Sequence, residues 1–344
     1  MFVFDKSSYE GIDIGSYSIK VIKVKGAGPS RSLEAVAYSR LDHIALPEDN
    51  SKLSEILRNL FNVHRIKSKK IATAISGDLL TLVHLYLPHM PKKDMKEAVR
   101  WEMRKQITFS ADELICDFAA IGEVKRGDEP MVSLIAFGVQ KKDVKNLLGI
   151  FDDALLEPER VDAIPMAMLA SFDYNNIWED GINYSMLDIG DSKSTLTIFK
   201  DKKLMFARDI HIAGKELTNV VMKELACAED VAETEKIKCG IVRSGEAPEI
   251  VNSMAAVVER LAAEVHRSFD YYQAQFREGG ISKMFLCGGT SKLAGIDDFF
   301  ANMLGIPCFI DDPLRNIKVE HKKFELAKIK SFAPDLTIAV GLAL

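Results

Sequence analysis

A short pattern occurs twice in this chain, half a chain apart, and it constrains the fold more than any other feature. Asp13-Ile-Gly15-Ser16-Tyr-Ser18-Ile-Lys20 links two β-rich runs lying between Gly11 and Val24. Beginning at Tyr184, the run Tyr184-Ser-Met-Leu-Asp188-Ile-Gly190-Asp191-Ser192-Lys193-Ser194-Thr195-Leu-Thr-Ile-Phe again reads strand, turn, strand, with acid and glycine in the same places. Alternating apolar residues around a Gly-containing turn predict a hairpin at each site. Recurrence at this distance is the sign of two lobes built on one plan. The 344 residues also exceed what a single core organises, so a cleft between lobes is expected.

The intervening segments mix helix and strand, which makes the fold class α/β. Helical spacing covers Leu53 to Phe61, and strand-like runs cover Lys70 to Ile75 and Leu79 to Leu87. From Pro91 to Ile107 the residues Met95, Val99, Met103 and Ile107 mark one apolar helix face, with Trp101 on the opposite side. Strands follow at Leu114 to Ile121 and Met131 to Val139, so that one helix and several strands form a compact inserted unit. A helix from Lys142 to about Leu155, a strand at Arg160 to Ala163 and a helix over Met166 to Phe172 close the first half. In the second half, helices are expected at Lys215 to Leu225, Glu229 to Ile237 and Pro248 to Phe276. A strand at Lys283 to Cys287 then leads into Gly288-Gly289-Thr290 and a helix over Ile296 to Met303.

Composition excludes several classes. A net charge of −5 gives no overall attraction for nucleic acid. Five scattered cysteines without C-x-x-C spacing read as reduced thiols rather than a zinc site. No secretory signal opens the chain, and the longest apolar stretch, Met131 to Val139, falls far short of the ~20 residues that span a bilayer. The expected location is the cytoplasm.

Three turns have a composition suited to a nucleotide. In the first, Gly15 lets backbone N–H groups approach phosphate oxygens, Ser16 and Ser18 add donors, and Lys20 supplies charge. The second repeats the arrangement with Asp188, Gly190, Asp191, Ser192 and Ser194. Asp13 and Asp188, facing each other across a cleft, suit the waters of a magnesium ion, which dehydrates reluctantly; either acid alone could equally cap its own turn. The third, Gly288-Gly289-Thr290, lies where a strand hands over to a loop and leaves room for a flat base or ribose.

The order of these turns resembles the superfamily of actin, Hsp70 and the sugar kinases, and implies an actin-like (ribonuclease H-like) two-lobed ATPase fold. The first turn resembles its phosphate-1 loop, the second phosphate-2, Gly288 to Gly295 the adenosine loop, and Ile338 to Ala343 its second connecting helix. Ser192 stands where many relatives carry another glycine. Further segments narrow the resemblance to the PilM family of type IV pilus assembly: Val99-Arg-Trp-Glu-Met-Arg-Lys-Gln-Ile-Thr-Phe109, Asp188 to Lys203, and Arg208-Asp-Ile-His-Ile-Ala-Gly214-Lys-Glu-Leu-Thr218.

That resemblance implies four subdomains: 1A over 1–90 and 140–180, an FtsA/PilM-type inserted subdomain 1C over 91–139, 2A over 181–212 and 281–344, and 2B over 213–280. It implies ATP or ADP with Mg2+ as ligand. Glu216, Glu235 and Lys238 match positions near the adenosine; as plain sequence they equally suit a solvated helix face. The implied partner is the amino-terminal cytoplasmic tail of PilN, received in a groove beside the inserted subdomain, along with other inner-membrane pilus assembly proteins. Trp101 with Arg100, Arg104 and Lys105 has the composition of an interface, unless Trp101 packs on a neighbouring strand. Hydrolysis needs a positioned water and a base; Gln140, Lys142 and Asp143 lie near the right helix start without forming a pattern, so slow or negligible turnover is expected. An FtsA-like or other filament-forming homologue, self-associating head to tail, is the alternative, and a sugar-kinase-like enzyme the next. The chain shows neither the terminal amphipathic helix of FtsA nor a placed catalytic acid for a sugar.

Overall fold

The computed structural model describes residues 9–41, 50–64, 66, 70–75, 77–126, 129–241, 249–320 and 324–344. The first lobe begins with an antiparallel meander, β1 (Glu10–Ile14), β2 (Ser18–Lys25) and β3 (Ser32–Arg40), followed by α1 (Asn50–Val63) and β4 (Ile71–Ile75). Next come β5 (Leu80–Pro88), α2 (Lys92–Arg104), β6 (Leu114–Arg126) and β7 (Glu129–Gln140). The lobe closes with α3 (Lys141–Asp153), β8 (Pro158–Ala163) and α4 (Ile164–Asn175). The second lobe runs β9 (Asn183–Ile189), β10 (Ser194–Lys200), β11 (Lys203–Ile210), α5 (Gly214–Leu225), α6 (Glu229–Cys239), α7 (Glu249–Phe276), β12 (Ile281–Cys287), α8 (Ile296–Leu304), β13 (Cys308–Ile310), α9 (Leu326–Phe332) and α10 (Thr337–Ala343).

The duplication read from the hairpins is real at the level of topology. One sheet has the order β3-β2-β1-β4-β8 and the other β11-β10-β9-β12-β13. In each, the leading strand is antiparallel to the second and parallel to the fourth. The registers also agree: Asp13 lies opposite Lys20 and Asp188 opposite Thr195, each pair closing the same short turn. Such a duplication puts equivalent turns at equivalent sheet ends, where they can face one another.

Between the sheets run α4 and α10, and small residues let them approach. A Cβ added to Gly341 of α10 would lie 1.8 Å from the Ala167 carbonyl oxygen of α4, and one on Gly11 of β1 would lie 1.9 Å from the Ala339 oxygen of α10. Every residue of α10 is buried, as befits a helix that is apolar on all sides.

One boundary differs from the expectation. The inserted unit starts at Leu80 rather than at 91, because β5 pairs antiparallel with β7 in a three-stranded sheet of order β5-β7-β6. Pro88 ends that strand and reads as a boundary, but only long-range pairing decides which sheet a strand joins. The sheet packs on both faces. One face carries α2 through Met95, Val99, Met103, Leu114, Leu134 and Ala136; the other sends Ala119, Ile121, Ile135 and Phe137 into the large core of the second lobe. Four elements were missed by sequence reasoning: β3, whose face alternation is diluted by Glu34 and Arg40; β11, which returns through Asp201 and Lys202 at positive φ without a glycine; and the short β13 and α9.

Candidate functional site

The two hairpin turns close by the same bond. The Gly15 N–H donates to the Ser18 carbonyl at 3.0 Å and the Gly190 N–H to the Lys193 carbonyl at 3.1 Å. The two turns touch, with the Ser192 N–H donating to Ser16 Oγ at 3.3 Å. The third loop is tied to the second turn: Thr290 Oγ1 donates to the Gly190 carbonyl at 3.0 Å, which also accepts the Gly214 N–H at the start of α5. Gly288 sits at φ +83, where a Cβ would lie 2.2 Å from Asp188 Oδ1. Only glycine fits at that position. Asp13, Gly15, Ser16, Lys20, Asp188, Gly190, Ser192, Gly288 and Thr290 therefore belong to one constellation, with Gly289 beside Asp335 and Asp191 on the α5 side.

Its electrostatics centre on Lys20, whose ammonium lies 2.8 Å from Asp13 Oδ2 with both side chains largely buried. Burial alone would lower the Lys20 pKa, but Asp13, Asp188 and Asp335 more than offset it and hold the ammonium well above the ordinary lysine range. Burial, and then the neighbouring Asp13 charge, push the Asp188 carboxyl up to about 7, with Lys20 opposing. Burial likewise raises Asp191, partly offset by Lys215 and Lys236. Asp335 was not anticipated from sequence. It is buried, Oδ2 accepts from Lys292 at 2.7 Å, and Oδ1 has no hydrogen-bond partner among the described residues.

Other expected residues are placed elsewhere. Ser194 commits its hydroxyl to the Ile212 carbonyl at 2.7 Å, and Ser18 is buried in β2. Glu216 pairs with Arg260 of α7 at 2.8 Å, while Glu235 and Lys238 pair with each other at 3.2 Å on the outer side of α6. The residues of α6 that turn inward are Glu233 and Lys236: the buried Lys236 donates to Thr218 Oγ1 at 2.9 Å, approaches the Gly214 carbonyl at 3.4 Å, and pairs with Glu233. The spacing of Lys236 four residues after the buried Ala232 is the signal that would have found it. Gln140, Lys142 and Asp143 stand at the start of α3, with Lys142 exposed.

Asp209 of β11 joins the lobes. Its Oδ1 accepts from Thr195 Oγ1 at 2.8 Å and its Oδ2 from Lys193 at 2.9 Å, and the backbone of Gly77 comes so close that a Cβ there would lie 1.9 Å from Oδ2. Asp209→Ala removes an acceptor from both donors and should lower stability by about 2 kcal/mol in chemical denaturation. A change within about 0.5 kcal/mol would show the contact to be energetically idle.

Among the described residues, no group of three or more His, Cys, Asp or Glu side chains is arranged to hold a metal ion, and no helix is long and apolar enough to cross a membrane.

The sequence model of the family described as "Type IV pilus assembly protein PilM" matches residues 11–344. Cell division protein FtsA of Pseudomonas aeruginosa is 26% identical over 174 residues, which is 44% of this chain and 42% of that protein, so the match spans less than half of that relative's length. Among solved structures, the PilM-PilN type IV pilus biogenesis complex is similar at TM-score 0.88 and 25% identity, covering 98% of each chain. The ethanolamine utilization protein EutJ from Carboxydothermus hydrogenoformans follows at TM-score 0.58 and 17% identity, covering 98% of this chain and 89% of that one. MreB 5 of Spiroplasma citri, bound to AMPPNP, is similar at TM-score 0.52 and 12% identity, covering 98% and 95%. The last two establish the actin-like fold alone.

Proposed function

The chain belongs to the PilM family of type IV pilus assembly proteins, and from that premise we propose that it is an ATP-binding scaffold that receives the amino-terminal cytoplasmic tail of PilN at the inner-membrane pilus assembly complex. The observation that carries this reading is the similarity to the PilM-PilN complex over 98% of both chains. The FtsA alternative is disfavoured, since that match covers less than half of either protein. In this reading the chain stays in the cytoplasm and reaches the membrane through its partner. The tail lies in a groove beside the β5–β7–β6 unit.

The nucleotide is ATP or ADP with Mg2+. Gly15, Ser16, Gly190, Asp191 and Ser192 present backbone and hydroxyl donors to the phosphates, and Lys20 supplies the cation. Asp13 and Asp188 hold the waters of the magnesium ion. Gly288, Gly289 and Thr290 flank the adenosine, with Lys236 and Glu233 at its border rather than Glu235 and Lys238. Two structural observations support the fit: the Gly288 position leaves room only for backbone against Asp188, and Lys20 lies among three carboxylates that a bound divalent ion would share. Bound ATP acts chiefly on stability, as ligand binding to the folded state does by mass action.

The test is calorimetric titration with a synthetic PilN tail, with and without magnesium ATP. Saturable binding is expected in at least one state. Absence of heat in both, for a protein that still binds nucleotide, would leave the actin-like site standing and remove the partner.

A further inference from the structure

The exposed side of α2 takes no part in the constellation of turns described above. Lys92, Lys96, Arg100 and Arg104 recur every fourth residue along it, with Lys93 beside the first. Residues four apart lie one above another on a helix, so these bases form a ladder roughly 18 Å long. Like charges at that spacing repel, and lysines in the first turn oppose the helix dipole. Lys92, Lys93 and Lys96 are exposed and make no ion pair among the described residues, while Arg100 reaches only the Ala111 carbonyl at 3.2 Å. The exposed acids Asp94 and Glu97 share the Trp101 side of the helix, Glu97 four residues before Trp101 and three before Arg100, so the five bases exceed these two acids and leave the exposed side positively charged; Glu102 is taken by Lys105 at 2.7 Å. Next to the ladder Trp101 is 61% exposed, with the Arg104 guanidinium 5.9 Å from its ring centroid. The arrangement costs the helix stability in isolation and leaves a large aromatic in water.

The fold puts this face outermost. The sheet beneath α2 is covered on its other side by the second lobe; opposite the buried Met95, Val99 and Met103 stand Trp101, Lys93, Glu97 and Arg104, and Lys92, Lys96 and the half-buried Arg100 run along the flank of the helix. In a chain of net charge −5, the ladder is a local basic stripe on a convex helix.

We propose that the outer face of α2 docks on an anionic lipid surface, the bases lying among acidic headgroups and Trp101 at the interfacial level. A basic stripe on a helix with an interfacial aromatic is the chemistry that such surfaces select. A convex face suits a planar partner better than an extended peptide, which needs a groove or a free strand edge.

The experiment uses the full chain with vesicles of equal parts phosphatidylglycerol and phosphatidylcholine, and with phosphatidylcholine alone, by co-sedimentation and tryptophan emission. The chain has two tryptophans, and Trp178 is engaged with Phe172 and Asp173, so Trp178→Phe leaves Trp101 as the sole reporter. Expected are binding to the acidic vesicles only, a blue shift of Trp101, and loss of binding at about 0.5 M salt, where screening is strong. At about fivefold per base, the triple variant Lys92→Gln, Lys96→Gln, Arg104→Gln should bind on the order of a hundredfold more weakly. Its melting temperature should be unchanged or higher, since repulsion is relieved. Equal binding to neutral vesicles, no binding to acidic ones, retention in a folded triple variant, or binding of a free acidic peptide in place of vesicles would each overturn the proposal.

Discussion

Replacing Gly341 with alanine should destabilise the protein by on the order of 3 kcal/mol, a large share of a typical domain's total. The added Cβ would lie 1.8 Å from the Ala167 carbonyl oxygen and 2.6 Å from its carbon, so backbone must move rather than a flexible side chain. Neither partner has room. Thr337 to Leu344 are all buried, and on the α4 side Ala167, Met168, Leu169 and Phe172 lie in the main core. On its other side α10 is pinned by Gly11, where a Cβ would meet the Ala339 oxygen at 1.9 Å and the Ala343 nitrogen at 2.7 Å. Close-packed interiors transmit such a displacement instead of absorbing it. The urea midpoint of Gly341→Ala measures the effect, and Gly149→Ala is the control. Gly149 lies inside α3 with nothing within 4 Å of an added Cβ, and alanine there should be neutral or stabilising by up to about 1 kcal/mol. A midpoint for Gly341→Ala equal to that of the control would mean that the two helices do not cross so closely.

Features carried by neighbouring residues are legible in a sequence, and those made by distant ones are not. The paired hairpins could be read because each is local: alternation, an acid, a glycine and the return strand fall within about ten residues. Helices with a strong one-sided stripe, such as α2 and α7, were equally plain. Membership of β5 in the inserted sheet was not, because its partner β7 lies far along the chain. Within the site, Asp13 and Asp188 announce themselves by their turns. Asp335 and Asp209 carry no local pattern and matter only because the fold brings Lys292 to one and Gly77 to the other. In α6 Glu235 and Lys238 pair on the outer side, and Glu233 and Lys236 turn inward. Lys238 and Lys236 are two apart, which on a helix is more than half a turn, and burial of Ala232 decides which one turns inward.

The ligand-free protein should lose stability as pH rises through neutrality. The sign follows from Asp188, whose folded-state pKa is raised from 3.8 to about 7 by burial first and by Asp13 second. An acid raised on folding contributes stability that is complete below its unfolded pKa and disappears as pH climbs through the folded value. Between about pH 5.5 and about pH 8 the loss from this group is about 2 kcal/mol, and Asp188→Asn should flatten the profile. Lys20 adds no slope in that range, because its raised ammonium stays charged until strongly alkaline pH. Its removal exposes the underlying conflict: Lys20→Met leaves Asp13 buried without its 2.8 Å partner, a break that typically costs 3–5 kcal/mol, and it deepens the fall with pH by withdrawing the one charge that lowers Asp188 among its acidic neighbours. If Asp13 and Asp188 hold the waters of magnesium, the bound ion favours their ionised form. Thermal unfolding with magnesium ATP should then show stabilisation that grows from about pH 5.5 to about pH 8, opposite in sign to the slope of the free protein. A ligand-free protein whose stability rises over that interval because of Asp188 would mean that its carboxyl is held charged, and the site would need a cation other than Lys20 to do so. Parallel slopes with and without the ligand would separate the two questions, keeping the buried carboxyl and removing it from the metal.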